Sequence, residues 1–236
     1  MTPYDSRLVE LSHVIEAGMT TYPGLPGPEI GPHLTRAQSR DVYAPGTEFA
    51  IDRISMVGNT GTYLDSPFHR YPDGADLSGL PLDALADLPT IVVRTDAASG
   101  RAIGPQALDG LSGPDGLSGP GGLDLAGHAV LLHTGWDRHW ATEAYGRGAP
   151  YLTGPGARLL ADAGARLVGI DSVNLDDAES GGERPAHSIL LAAGIPVLEH
   201  LTGLERVPTT GARLHAAPPR VRGFGSFPVR AYVVLP

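Results

Sequence analysis

Glycine and proline break this chain into short pieces. Its 236 residues hold 32 glycines and 22 prolines, spread between apolar segments and not gathered into a linker. Glycine weakens the interior of a helix or strand, and proline removes a backbone donor, so no regular element can run long. Short apolar runs at 7–11, 48–57, 90–94, 129–134, 167–171, 196–199 and 229–235 read as strands. Fewer stretches read as helix. Residues 80–86 form a short turn or helix and 136–145 another; 156–163 stops at Gly164, and 184–193 starts near Pro185 and stops at Gly194. The helix–strand pairs 156–171 and 184–199 predict layered α/β packing. The other strands follow one another without helices. The expected fold is therefore α/β, a mixed barrel-like β-sheet with flanking helices, in one domain over 1–236. The quasi-repeat at 110–122 predicts a surface loop.

Composition narrows the chemistry. Hydrophobic residues make up 42% and charged residues 18%, which is globular. A chain this long buries roughly three quarters of its unfolded surface. Lysine is absent, so all 17 basic residues are arginines, set against 26 acids for a net charge of −9. Without a basic stripe to displace phosphate counterions, no nucleic-acid partner is expected. No apolar run approaches the roughly 20 residues that cross a bilayer, and residues 1–10 lack a basic start followed by an apolar core. The expectation is a cytoplasmic chain with no membrane partner. There is no cysteine, so any metal must be held by His, Asp, Glu or water.

The chemistry concentrates in residues 58–74, GNTGTYLDSPFHRYPDG. Gly61 and Pro67 exclude a helix, so an extended backbone with alternating side chains is predicted. Asn59, Gly61, Tyr63, Asp65, Pro67 and His69 then share one side, and Thr60, Thr62, Leu64, Ser66 and Phe68 the other. An amide, a phenol, a carboxylate and an imidazole on one face suit acid–base chemistry and the binding of developing charge. A half-buried edge strand with a solvated polar face has the same pattern.

Two further places stand out. In ERPAHSILLAAGIPVLEHL (183–201), His187 falls in the first turns of the helix. Glu199 ends the next strand in phase with Ile195 and Val197, so it points inward or lies just past the strand in water. An inward carboxylate needs a partner or a cation. In GIDSVNLDD (169–177), Asp171 ends a strand, where an aspartate either joins a ligand site or caps a turn.

With these residues in view, the sequence resembles the cyclase family that includes bacterial kynurenine formamidase, isatin hydrolase and polyketide cyclases. The resemblance runs from LVELSHVIEAGMTTYPG through TGTYLDSPFH, LLHTGW, LVGIDS and HSILLAAGIPVLEHL to FPVRAYVVL. The family signature is His-x-Gly-Thr-His-x-Asp-x-Pro-x-His with a later His and Glu or Gln. Gly61, Thr62, Asp65, Pro67 and His69 keep it, and His187 and Glu199 match the later pair. The resemblance implies a swivelling β/β/α fold, a homo-oligomer (dimer or tetramer), a small-molecule substrate and divalent metal. Asn59 and Tyr63 stand where the family has histidines for its primary metal. An amide oxygen and a neutral phenol ligate zinc poorly. One divalent ion, zinc or manganese, is then expected on Asp65, His69, His187 and Glu199.

Three functions follow as expectations. The first is hydrolysis of a small cyclic or aryl amide or a lactone by a metal-bound or His69-activated water, with Tyr63 or Asn59 donating to the oxyanion. The second is a metal-independent cyclase, dehydratase or isomerase acting on a polyketide-like substrate, with His69 as general base. The third is a ligand-binding relative without activity.

Overall fold

The computed structural model describes residues 7–95, 100–108, 111–112 and 122–236. Its early strands are β1 (Leu8–Glu10), β2 (Glu29–Leu34), β3 (Ile51–Ser55), β4 (Tyr63–Asp65), β5 (Leu88–Arg94), β6 (Ala102–Ile103), β7 (Leu111–Ser112) and β8 (Leu123–Asp124). The later ones are β9 (Ala129–His133), β10 (Tyr151–Leu152), β11 (Leu167–Ile170), β12 (Val197–Glu199), β13 (Arg213–His215), β14 (Ser226–Pro228) and β15 (Tyr232–Val234). Three α-helices accompany them among the described residues: α1 (Arg36–Ser39), α2 (Gly154–Asp162) and α3 (Pro185–Ala192).

Nine strands form one mixed sheet in the order β1-β15-β13-β5-β9-β11-β12-β4-β14, curled into a half-barrel. Its centre, β5-β9-β11-β12, is parallel, and both wings are antiparallel. Both faces of the centre are covered, so β9 (AVLLH) and β11 (LVGI) are continuous apolar runs. Alternate residues enter two cores. Leu64, Leu131 and Leu198 join Val9, Leu77, Leu214 and Val233 on one side. Val130, Leu132, Val168, Ile170 and Val197 meet Leu160 of α2 and Leu190 of α3 on the other. Truncating a side chain as buried as Leu198 to alanine costs about 2–5 kcal/mol.

The two longer helices start as their sequences dictate. The Thr153 hydroxyl accepts the Gly156 N–H and caps α2. In α3, Pro185 takes the first turn, where its missing N–H costs nothing. No helix among the described residues is long and apolar enough to cross a membrane.

Several local expectations give way to the structure. The extended run through 58–74 shrinks to β4. Gly61 turns the chain at φ +64°, a backbone only glycine takes readily, and Pro67–His69 winds into a 3-10 turn. The single polar face is therefore lost, and Asn59 and His69 lie outside the strand. Residues 136–145 form two separate 3-10 turns, Trp136–His139 and Glu143–Gly146. Between them Trp140 is extended and Ala141 has φ +60°, which ends any helix. Leu82–Ala84 is a 3-10 turn. Residues 29–34 form β2, paired only with β3 outside the main sheet. Most of 110–122 lies outside the described residues, though Leu111–Ser112 pairs with Leu123–Asp124.

Candidate metal and catalytic centre

Strand register assembles the centre. β4 lies between β12 and β14, with Tyr63 opposite Glu199 and Pro228, and Asp65 opposite Val197 and Ser226. Residues directly opposite in an antiparallel pair point the same way. Val197 points to the helix-side core, so Tyr63, Asp65, Glu199 and Ser226 share that face. There α3 brings His187 from above.

Three ligand atoms converge. Asp65, His187 and Glu199 each offer one atom, and these lie within 4.8 Å of one another, all on buried residues. His187 Nε2 is 3.5 Å from Asp65 Oδ2 and 3.5 Å from Glu199 Oε1. That is too long for a hydrogen bond, which spans about 2.7–3.2 Å. It is the right span for two ligands of one ion, since atoms about 2.1 Å from a tetrahedral centre stand about 3.4 Å apart. Asp65 Oδ2 is buried without a partner among the described residues. A lone carboxylate oxygen, a second carboxylate and an imidazole suit zinc or manganese. Three protein ligands leave a position open, as catalytic zinc sites do. The residues present fit a divalent ion.

Each ligand is held from behind. Asp176, fully buried, accepts the backbone N–H of Ala186 at 2.6 Å and of His187 at 3.0 Å, capping α3 from a distant loop. Its Oδ2 is also 2.7 Å from His187 Nδ1. A carboxylate only accepts, so Nδ1 carries the proton and Nε2 faces the carboxylates. Glu199 Oε1 accepts the Leu175 N–H at 2.5 Å, and Oε2 accepts the Tyr63 hydroxyl at 2.5 Å. The Asn59 amide hydrogen-bonds in turn to the Tyr63 hydroxyl.

The charges are strongly coupled. Burial pushes the Glu199 carboxyl up, opposed by the His187 charge. Burial alone would push the His187 imidazole down. The Glu199 charge, the hydrogen bond to Asp176 and the Asp65 charge outweigh it, raising His187 to about 10. Without an ion, then, an imidazolium balances the two carboxylates. Burial, together with the charges of Glu199 and Asp65, keeps the Tyr63 phenol protonated.

The structure thus brings Asp65, His187, Glu199 and Tyr63 together, and Glu199 is wholly buried, not past the strand in water. His69 is not among the three converging ligands. Its side chain is 39% exposed, and its Nδ1 is 2.8 Å from Ser226 Oγ and 3.8 Å from Asp65 Oδ1. Tyr63, expected to donate to a substrate oxygen, has its single proton engaged on Glu199. Asn59 lies beside the Tyr63 hydroxyl, to which its amide hydrogen-bonds. Asp171 caps a turn, accepting from Thr134 and Gly135, and burial raises it to about 6.

Two site residues are not legible in the sequence. Asp176 lies in the segment singled out for Asp171, where only the fold shows which acid meets His187. Ser226 carries no sequence signal. The Ser226 hydroxyl donates to Asp65 Oδ1, and it reaches that oxygen because Gly58 and Gly225 bring three backbones close. His200 is buried with Nδ1 2.9 Å from the Tyr145 hydroxyl, and burial pushes it down to about 3. Trp140 stacks on His13 at 3.9 Å. Trp140 and Tyr145 also line a cavity of about 490 Å³ with Glu16, Met19 and Thr21, and the three ligand atoms do not reach it.

The chain is similar to several known proteins. The Cyclase family model, described as "Putative cyclase", matches residues 9–177. A kynurenine formamidase of Geobacillus thermodenitrificans is 32% identical over 186 residues, covering 77% of this chain and 78% of that protein. Isatin hydrolase A of Labrenzia aggregata, solved with benzyl benzoate, superposes at a TM-score of 0.78 with 22% identity, covering 97% of this chain and 93% of the other. A solved "potential metal-dependent hydrolase with cyclase activity" gives 0.74 at 25% identity, covering 96% of each chain.

Proposed function

This chain belongs to the Cyclase family, and on that footing we propose that it is a metal-dependent hydrolase of a small aryl or cyclic amide, or of a lactone. The observation that carries the reading is the convergence of Asp65 Oδ2, His187 Nε2 and Glu199 Oε1 behind an exposed imidazole. A divalent ion held by these three residues supplies a Lewis acid that polarises the carbonyl and favours ionisation of water.

The chain's own residues do the rest. His69 at the rim takes a proton from the attacking water as it adds to the carbonyl carbon. It returns that proton to the leaving nitrogen or oxygen as the bond breaks, so no net proton is consumed at the enzyme. Asp176 holds His187 in one tautomer. Tyr63 and the Leu175 N–H fix both oxygens of Glu199, so the ligands need no rearrangement when the ion enters.

The test is removal of metal from the full chain with a chelator, assayed on aryl formamides, cyclic amides and lactones. Activity should disappear and return with zinc or manganese. Undiminished turnover by metal-free protein would refute this reading. It would favour a second one, supported by the His187 imidazolium raised to about 10. There the imidazolium stands in for the ion, and His69 abstracts a proton next to a carbonyl in a cyclase or isomerase reaction.

The same reading includes a homo-oligomer. β2 and β3 form an isolated ribbon with Ile30, Ile51 and Ile54 exposed, and a two-stranded ribbon is marginal alone in water. A second copy covering it predicts a dimer or tetramer by light scattering; a monomer at micromolar concentration would oppose this.

A further inference from the structure

We propose that Ser226 is a positioning residue that fixes His69 with its proton on Nδ1, leaving Nε2 free as the base. The role as base rests on the hydrolase reading above; the hydrogen-bond assignment does not.

The assignment follows from the number of protons available. Ser226 Oγ contacts Asp65 Oδ1 and, at 2.8 Å, His69 Nδ1. A serine hydroxyl has one proton to donate. Asp65 is wholly buried, and Ser226 is the hydrogen-bond donor to its Oδ1. An ionised carboxylate can only accept, so the serine proton goes to Asp65. Giving it to His69 instead would press two oxygens together with no hydrogen between them. Ser226 Oγ must therefore accept from His69, and Nδ1 must carry a hydrogen. At 3.8 Å, His69 Nδ1 is too far from Asp65 Oδ1 to bond it directly. The serine bridges that gap. Nε2 has no partner among the described residues, and the side chain is 39% exposed.

The arrangement is built in. Ser226 is nearly buried on β14, opposite Asp65 in register. The Ser66 N–H donates to Gly225 O at 2.8 Å, and a Cβ on Gly225 would lie 2.6 Å from His69 Cα. Only a glycine lets β14 approach the His69 turn this closely. The result resembles an Asp–His pair with a hydroxyl inserted. When Nε2 takes a proton, the positive ring is stabilised through Ser226 by Asp65.

The test is nitrogen-15 NMR of the histidine rings in the zinc-loaded full chain, at about pH 8.5, where an ordinary imidazole is neutral. The wild type should show His69 with a pyrrole-type Nδ1 and a pyridine-type Nε2. Ser226→Ala should move it towards the Nε2–H tautomer that histidine prefers in water. Ser226→Thr, which keeps the hydroxyl, should restore the wild-type pattern. Ser226→Ala should also lower kcat about 10–100-fold with KM nearly unchanged. A wild-type His69 protonated on Nε2, or a ring nitrogen bound to zinc, overturns the proposal even if a variant fails to fold. So does a Ser226→Ala tautomer identical to wild type. If the tautomer responds as stated but no amide is hydrolysed, the hydrolase reading fails and the assignment stands. If amides are hydrolysed while neither tautomer nor kcat responds to Ser226→Ala, the hydrolase reading stands and the assignment fails.

Discussion

The Tyr63 hydroxyl donates to Glu199 Oε2 at 2.5 Å across the β4–β12 pair, both residues wholly or nearly buried. The Tyr63 proton satisfies one oxygen of a buried carboxylate and does not face solvent. Tyr63→Phe leaves that oxygen without a donor and should cost about 1–3 kcal/mol of stability. Urea unfolding of the metal-free chain checks this. The three ligands remain, so the variant should still bind one ion per chain by elemental analysis.

Asp176 caps α3 and holds His187 Nδ1 at once. Asp176→Asn replaces an acceptor-only group with one that can present N–H to the ring, which disturbs the tautomer needed at Nε2. Metal affinity should fall about 10–100-fold, read by competition against a chromogenic chelator. An affinity equal to wild type would show that the hydrogen bond is dispensable.

An ion that binds only the folded chain must stabilise it. Zinc at a hundredfold excess over its Kd adds about 2.7 kcal/mol. For a chain of this size that is a rise in melting temperature of roughly 5–10 °C. Asp65→Asn, which keeps the shape but loses the charge, should abolish most of the rise. Differential scanning calorimetry with and without zinc measures both.

Burial pushes the His13 imidazole down from 6.5 to about 4, with Asp137 opposing. The unfolded chain therefore takes up this proton near pH 6.5, and the native chain only near pH 4. Between those values the unfolded state binds more protons, so stability falls as pH drops through this window. His13→Gln should flatten the fall. Unfolding midpoints in urea from about pH 7.5 down to about pH 4.5 test it.

Gly225→Ala forces a Cβ into the His69 backbone. Overpacking of this kind costs about 1–3 kcal/mol. The variant should lose both stability and turnover while retaining zinc, since none of the three converging ligands lies in that turn.

The sequence determined much of this protein unaided. The spacing of glycine and proline limited every element to a few residues, and apolar runs marked the strands that form the sheet centre. Residue pattern singled out Asp65 on a polar face and Glu199 in phase with apolar neighbours, and the family resemblance joined them with His69 and His187 as one ligand set. Tertiary structure decided the rest, and for definite reasons. Whether His69 joins the ligands depends on a 3-10 turn after Ser66, a choice that strand alternation cannot express. The task of Tyr63 depends on β4 pairing with β12 in a register that places it opposite Glu199. Ser226 and Asp176 become visible only when backbones 161 and 11 residues away close on Asp65 and His187. A hydrogen bond is a relation of position within about 3 Å. Local sequence fixes which groups can make one, and only the folded chain fixes which groups meet.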